Sequence, residues 1–155
     1  MHDLDVTLPR AADTDRLGAA LARALPPAAV IYLHGELGAG KTALVRAALR
    51  ALGHQGAVRS PTYTLVEPYE LAGRSVQHLD LYRLSDPHEL EYLGLRDTLD
   101  QGVTLVEWPE RGEGWLPSPD LAIHLSYAGE GRAARLVAGS ETGQVLLQTL
   151  AAERG

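Results

Sequence analysis

Cysteine is absent from the 155 residues, which excludes a disulfide framework, a thiolate metal site and a thiol nucleophile; any metal must bind through oxygen or imidazole. Lysine is nearly absent too. Among the 14 basic residues only Lys41 is lysine, and arginine takes every other basic position. Lys41 therefore stands where a compact ammonium on a flexible stem does what a forked guanidinium does not. No charge-free run is long enough to span a bilayer, and Asp3, Asp5, Asp13 and Asp15 occupy a stretch that a secretory leader would keep basic and apolar. The expectation is a cytoplasmic protein without membrane contact. Basic excess is also missing: the net charge of −6 argues against a stand-alone nucleic-acid binder, which needs a basic face to neutralise phosphates.

What is present suits a single domain over residues 1–155, since 45% apolar content fills one core without a staple. Val6-Thr7-Leu8 predicts a short strand. Ala11–Leu25, with Leu17, Leu21 and Leu25 at helical spacing and Asp13 as its cap, predicts a helix ended by Pro26-Pro27. Ala29–Leu33 is a nearly continuous apolar run of strand length stopping at Gly35, the pattern of a buried parallel strand. Leu44, Val45, Ala48, Leu49 and Leu52 then mark a helix from Lys41 to Gly53. Thr62–Tyr69 and Ser75–Leu81 alternate around Ala72-Gly73-Arg74 and read as a hairpin with one solvated face. A helical patch at Pro87–Leu93, closed by Gly94, precedes a buried strand at Val103–Val106. A second hairpin, Leu121–Tyr127 with Arg132–Ala138, turns at Gly129-Glu130-Gly131, and a helix from Thr142 to about Ala152 closes the chain. Strands alternating with helices, then hairpins, predict an α/β layer fold with a mixed central sheet flanked by helices.

Gly35-Glu36-Leu37-Gly38-Ala39-Gly40-Lys41-Thr42 fits G-x-x-x-x-G-K-[ST] at every specified position, between a buried strand and a helix. In such a loop the glycines let successive N–H groups turn inward, and the helix N-terminus adds the positive end of its dipole. Leu37, Gly38, Ala39, Gly40, Lys41 and Thr42 are thus the nucleotide-binding candidates. Lys41 is expected at the β- and γ-phosphates, aiding catalysis, with the Thr42 hydroxyl on Mg²⁺. Adenine fits better than guanine, because an N-K-x-D reader needs a lysine and the one lysine is already in the loop. The expected ligands are ATP and Mg²⁺.

Such a site needs carboxylates at neighbouring strand ends. Glu107 follows Val103–Val106 and is the candidate on the metal side; Asp80 ends the more alternating Ser75–Leu79 and is the candidate for orienting or deprotonating the attacking water. Each also reads as an ordinary surface acid or cap. His78 reads as a hydrogen-bonded structural group. Arg83 reads either as an internal arginine finger or as a partner of Glu89 or Glu91, and Trp108 either as a cover for the nucleotide or as a filler of the core edge.

Taken together, Leu37–Thr42, the segment Ser60–Tyr69, His78-Leu79-Asp80-Leu81-Tyr82-Arg83-Leu84 and Glu107-Trp108 resemble the TsaE (YjeE) family over the span from Leu8 to about Ala138. The resemblance implies a weak ATPase required for threonylcarbamoylation of adenosine 37 in tRNA. It implies a single domain of P-loop NTPase-like fold that works with the proteins TsaD and TsaB; the net charge of −6 makes contact with tRNA an indirect one, and a monomer is favoured without being fixed by the sequence. It implies that Thr42 and Glu107 attend Mg²⁺, that Asp80 is needed for hydrolysis, and that Ser60–Thr64 forms a switch-like loop with Thr62 or Thr64 sensing the γ-phosphate. Trp108, Glu110 and Arg132 would lie near base and ribose. The chain departs from the family pattern at Arg10-Ala11-Ala12, where a more acidic opening is expected. Two other readings stand beside it: a small-molecule P-loop kinase, which would need an arginine-bearing helical lid, and an ATP-binding switch whose hydrolysis is incidental.

Overall fold

The computed structural model describes residues 2–59, 61, 63–93 and 101–154. Seven strands form one mixed sheet: β1 (Asp3–Leu8), β2 (Ala29–His34), β3 (Val66–Leu71), β4 (Arg74–Asp80), β5 (Val103–Glu107), β6 (Leu121–Ala128) and β7 (Gly131–Ala138), in the order β1-β7-β6-β2-β5-β4-β3. Among the described residues the α-helices are α1 (Ala11–Ala24), α2 (Lys41–Ala51) and α3 (Glu141–Arg154). β2 lies at the centre, parallel to both β5 and β6, and β4 runs parallel to β5. The outer pairings β3/β4, β6/β7 and β1/β7 are antiparallel.

The apolar run of β2 follows from this position. Ile31 and Leu33 join the main core with Leu105, Leu121 and the helix residues Leu21, Leu44, Leu49 and Leu147, while Tyr32 faces a second cluster of Leu79, Leu81, Leu84, Leu90 and Val106. Each fully buried aliphatic side chain contributes about 1.5–3 kcal/mol, so a strand covered on both faces gains from being apolar at every position. The three helices share the main core, and short 3-10 turns at Pro87–Leu93 and Pro109–Gly112 border the second. α1 lies close on α2 because Gly18 has no side chain, and a Cβ there would sit 2.5 Å from that of Ala47. That contact brings the start of α1 beside the loop that opens α2.

Several local expectations are corrected. Asp13 is not the N-cap of α1 but its third residue, where its carboxylate accepts the Arg10 N–H at 2.9 Å. Pro87–Leu93 is a 3-10 turn, and Gly94 lies outside the described residues. The first hairpin starts at Val66 rather than at Thr62, since Leu65 at φ +68 turns the chain out of extended geometry. Its second strand is not solvated on one face at its end: His78, Leu79 and Asp80 are all buried, because β4 is an interior strand between β5 and β3.

Candidate nucleotide-binding site

The parallel strands β2, β5 and β4 all end at one edge of the sheet, the edge where open α/β sheets bind ligands. Between β2 and α2 the chain makes a tight turn, closed by the Ala39 N–H donating to the Glu36 carbonyl at 3.0 Å. Gly38 occupies its third position at φ +82, as a type II turn requires, and a Cβ there would lie 2.5 Å from the Tyr127 hydroxyl. Gly40, at φ +108, leads into α2, whose first backbone bond runs from Leu44 N–H to Gly40 O at 2.9 Å. The amides before it are the unpaired donors of a helix N-terminus. The β6/β7 hairpin leans on the turn from outside. Tyr127 donates its hydroxyl to the Leu37 carbonyl at 2.7 Å, and Arg132 donates to the Gly38 carbonyl at 3.1 Å while lying 4.3 Å from the Tyr127 ring centre.

Lys41 is 4% exposed. Its ammonium donates to the carbonyls of Gly35 and Glu36, the latter at 3.1 Å, and rests 4.2 Å from the centre of the Trp108 ring. Burial draws the Lys41 pKa below its ordinary value, against the pull of Glu107, Asp80 and Glu110. Trp108 adopts the left-handed region at φ +57, ψ +48, a conformation costing a non-glycine residue about 1–2 kcal/mol. The packing of Lys41 and Tyr82 on its ring is where that cost is offset.

Glu107, buried at the end of β5, accepts the Thr42 hydroxyl at 3.0 and 3.2 Å on its two oxygens, and His78 Nε2 lies 2.6 Å from its Oε2. Asp80 stands in register beside it at the end of β4. Burial raises the Asp80 pKa and the Glu107 charge adds to the rise, while the Tyr82 N–H, donating to Asp80 Oδ1 at 3.1 Å, opposes it. A hydroxyl and a carboxylate oxygen at hydrogen-bond distance form the hard donor set that suits Mg²⁺. A lysine ammonium above open helix amides suits a polyphosphate.

These groups line a cleft of about 430 Å³ that includes Gly38, Gly40, Lys41, Thr42, Asp80 and Glu107. A second cleft of about 450 Å³ shares Gly38, Gly40 and Ala43 with it and continues along Arg10, Thr14, Asp15 and Arg132.

The profile described as "Threonylcarbamoyl adenosine biosynthesis protein TsaE" matches residues 8–136. The chain belongs to the TsaE family. It is 47% identical over 121 residues to the Haemophilus influenzae tRNA threonylcarbamoyladenosine biosynthesis protein TsaE, covering 77% of each chain. It is 40% identical to the Bacillus subtilis protein of the same name, covering 74% of this chain and 70% of that one. Among solved structures, Bacillus subtilis YdiB superposes with a TM-score of 0.85 and 28% identity over 99% of this chain and 97% of that one.

On this TsaE-family fold the residues singled out from sequence separate into groups. Lys41, Thr42, Asp80, Glu107 and Trp108 share the first cleft with Leu37, Gly38 and Gly40, whereas Ala39 is buried behind the turn. Arg132 faces the second cleft. Glu110 stands apart, with its carboxylate 3.7 Å from His34 Nδ1 and lining a different cavity with Tyr32 and Pro117. Arg83 also lines the first cleft, where it lies 4.9 Å from the Tyr63 ring centre, and among the described contacts it pairs with neither Glu89 nor Glu91. Ser60 and Thr62 lie outside the described residues, and the Thr64 hydroxyl donates to the Val66 carbonyl at 3.4 Å. Sequence reasoning missed Tyr127, Thr14 and Asp15. Gly18, a glycine inside a helical pattern, was the available signal that α1 packs close to the loop helix.

Proposed function

We propose that this chain is a Mg²⁺-dependent ATPase of low intrinsic turnover that supports formation of threonylcarbamoyladenosine at position 37 of tRNA by acting on the TsaD–TsaB pair. The observation that carries the reading is the convergence of Lys41, Thr42, Asp80 and Glu107 on one cleft at the strand ends, in a chain of the TsaE family. Thr42 and Glu107 would hold the Mg²⁺, which neutralises charge on the phosphate oxygens when bound. Lys41 exchanges the carbonyls of Gly35 and Glu36 for the β- and γ-phosphates. Asp80, a stronger base because of its burial, orients a water on the γ-phosphorus and takes its proton as the bond to ADP breaks. The nucleoside leaves the loop on the side away from the acids, into the cleft of Arg10, Thr14, Asp15 and Arg132. The net charge of −6 leaves tRNA to the partner proteins.

ATP turnover measured with the chain alone, with TsaD–TsaB, and with TsaD–TsaB plus tRNA tests this. Turnover should rise on assembly, and Asp80→Asn should retain ATP binding, lose turnover and fail to sustain repeated tRNA modification. An Asp80→Asn chain that supports full multiple-turnover modification would make ATP binding alone the functional event. Transfer of phosphate to a small hydroxyl substrate would favour a kinase.

A further inference from the structure

Tyr127 belongs to neither cleft, yet its hydroxyl makes a hydrogen bond of normal length to the phosphate loop. The acceptor is informative. Leu37 and Gly38 are the central residues of the turn Glu36–Ala39, so the Leu37 carbonyl and the Gly38 N–H belong to its central peptide. Type I and type II turns differ chiefly in which way that peptide faces, and φ +82 at Gly38 selects type II. In a trans peptide the carbonyl and the N–H point in opposite directions. A carbonyl held outward by Tyr127 therefore turns the Gly38 N–H toward the cleft that Gly38 lines.

We propose that Tyr127 is a positioning residue for the phosphate loop: its hydroxyl fixes the Leu37–Gly38 peptide so that the Gly38 N–H is preset as a phosphate donor. Arg132 completes the device. It stacks on the Tyr127 ring, donates to the next carbonyl at Gly38, and is itself oriented by the carbonyls of Glu130 and Gly131 at 3.3 and 2.9 Å. The hairpin β6/β7 thus grips two successive loop carbonyls, those of Leu37 and Gly38. Without the grip the central peptide is free to flip, and binding must select the competent orientation at a cost in affinity.

The inference rests on the nucleotide-binding reading, and Tyr127→Phe separates the two because it removes only an exposed hydroxyl and keeps the ring beneath Arg132. In the nucleotide-free protein, ¹⁵N relaxation should show a lower order parameter at Gly38 in Tyr127→Phe, and the Leu37 ¹³C carbonyl resonance should lose its hydrogen-bond shift. Calorimetric titration should show ATP and ADP binding about two- to tenfold weaker, the range of one hydrogen bond, with the melting temperature lowered by no more than about 6 °C. Unchanged Gly38 dynamics and unchanged nucleotide affinity overturn the proposal. Should the parent protein bind no nucleotide in the same titration, the ATP reading falls, while the relaxation data still decide whether Tyr127 fixes the peptide.

Discussion

The pair His78 and Glu107 offers the sharpest energetic test of the site. Both side chains are buried, and the Nε2 to Oε2 distance of 2.6 Å is that of a charge-assisted hydrogen bond. A hydrogen bond to a charged group contributes about 1.5–3 kcal/mol. His78→Leu removes it at similar volume, so cavity formation adds little. It also removes Nδ1, a buried atom without a hydrogen-bond partner among the described residues, whose loss is favourable and would mask part of the effect. A double-mutant cycle with Glu107→Leu cancels that contribution, because Nδ1 is lost on both sides of it. Urea unfolding of the parent, both single variants and the double variant should give a coupling of about 1.5–3 kcal/mol, equivalent to about 3–12 °C in melting temperature for a chain of this size. If Glu107 holds Mg²⁺ as proposed, Mg²⁺-dependent ATP binding should weaken about 10- to 100-fold in His78→Leu, the range for residues that orient a metal ligand. A coupling below about 0.5 kcal/mol would refute the reasoning and reduce the short contact to coincidental packing.

Three further outcomes follow from the same geometry. The raised Asp80 pKa contributes stability that is fully present below the unfolded carboxyl value and lost as pH rises through the higher native one; Asp80→Asn should therefore unfold at higher urea than the parent at pH 7, with the advantage gone below about pH 4. Equal midpoints at pH 7 would contradict the burial argument. Lys41→Ala should weaken ATP binding at least about tenfold by calorimetry while the fold persists, and Lys41→Arg should not restore the parent affinity. On the proposed binding of ATP, Lys41 would leave the indole, so the emission of Trp108, read in a Trp115→Phe background, should change on adding Mg·ATP and stay constant in Lys41→Ala.

The β2–loop–α2 unit was legible in sequence because every signal in it is local: an apolar run, fixed glycine spacing, and helical periodicity ending at Gly53. Family membership and the mixed α/β sheet were legible for the same reason, as contiguous motifs survive without knowledge of contacts. The rank of β4 was not. Its residues alternate like an edge hairpin, and only pairing with β5 on one side and β3 on the other buries Asp80 and sets it in register with Glu107. The turn at Leu65 was equally hidden, since a leucine at φ +68 is tolerated only where surrounding packing imposes it. The partners of the loop lie far off in sequence: Tyr127 is 90 residues from Leu37, and Arg132 is 94 from Gly38. Sequence periodicity specifies which face of a strand is buried, but not which backbone carbonyl a side chain at its end will meet. That was decided by the parallel pairing of β2 with β6, which carries the second hairpin to the edge where the loop begins.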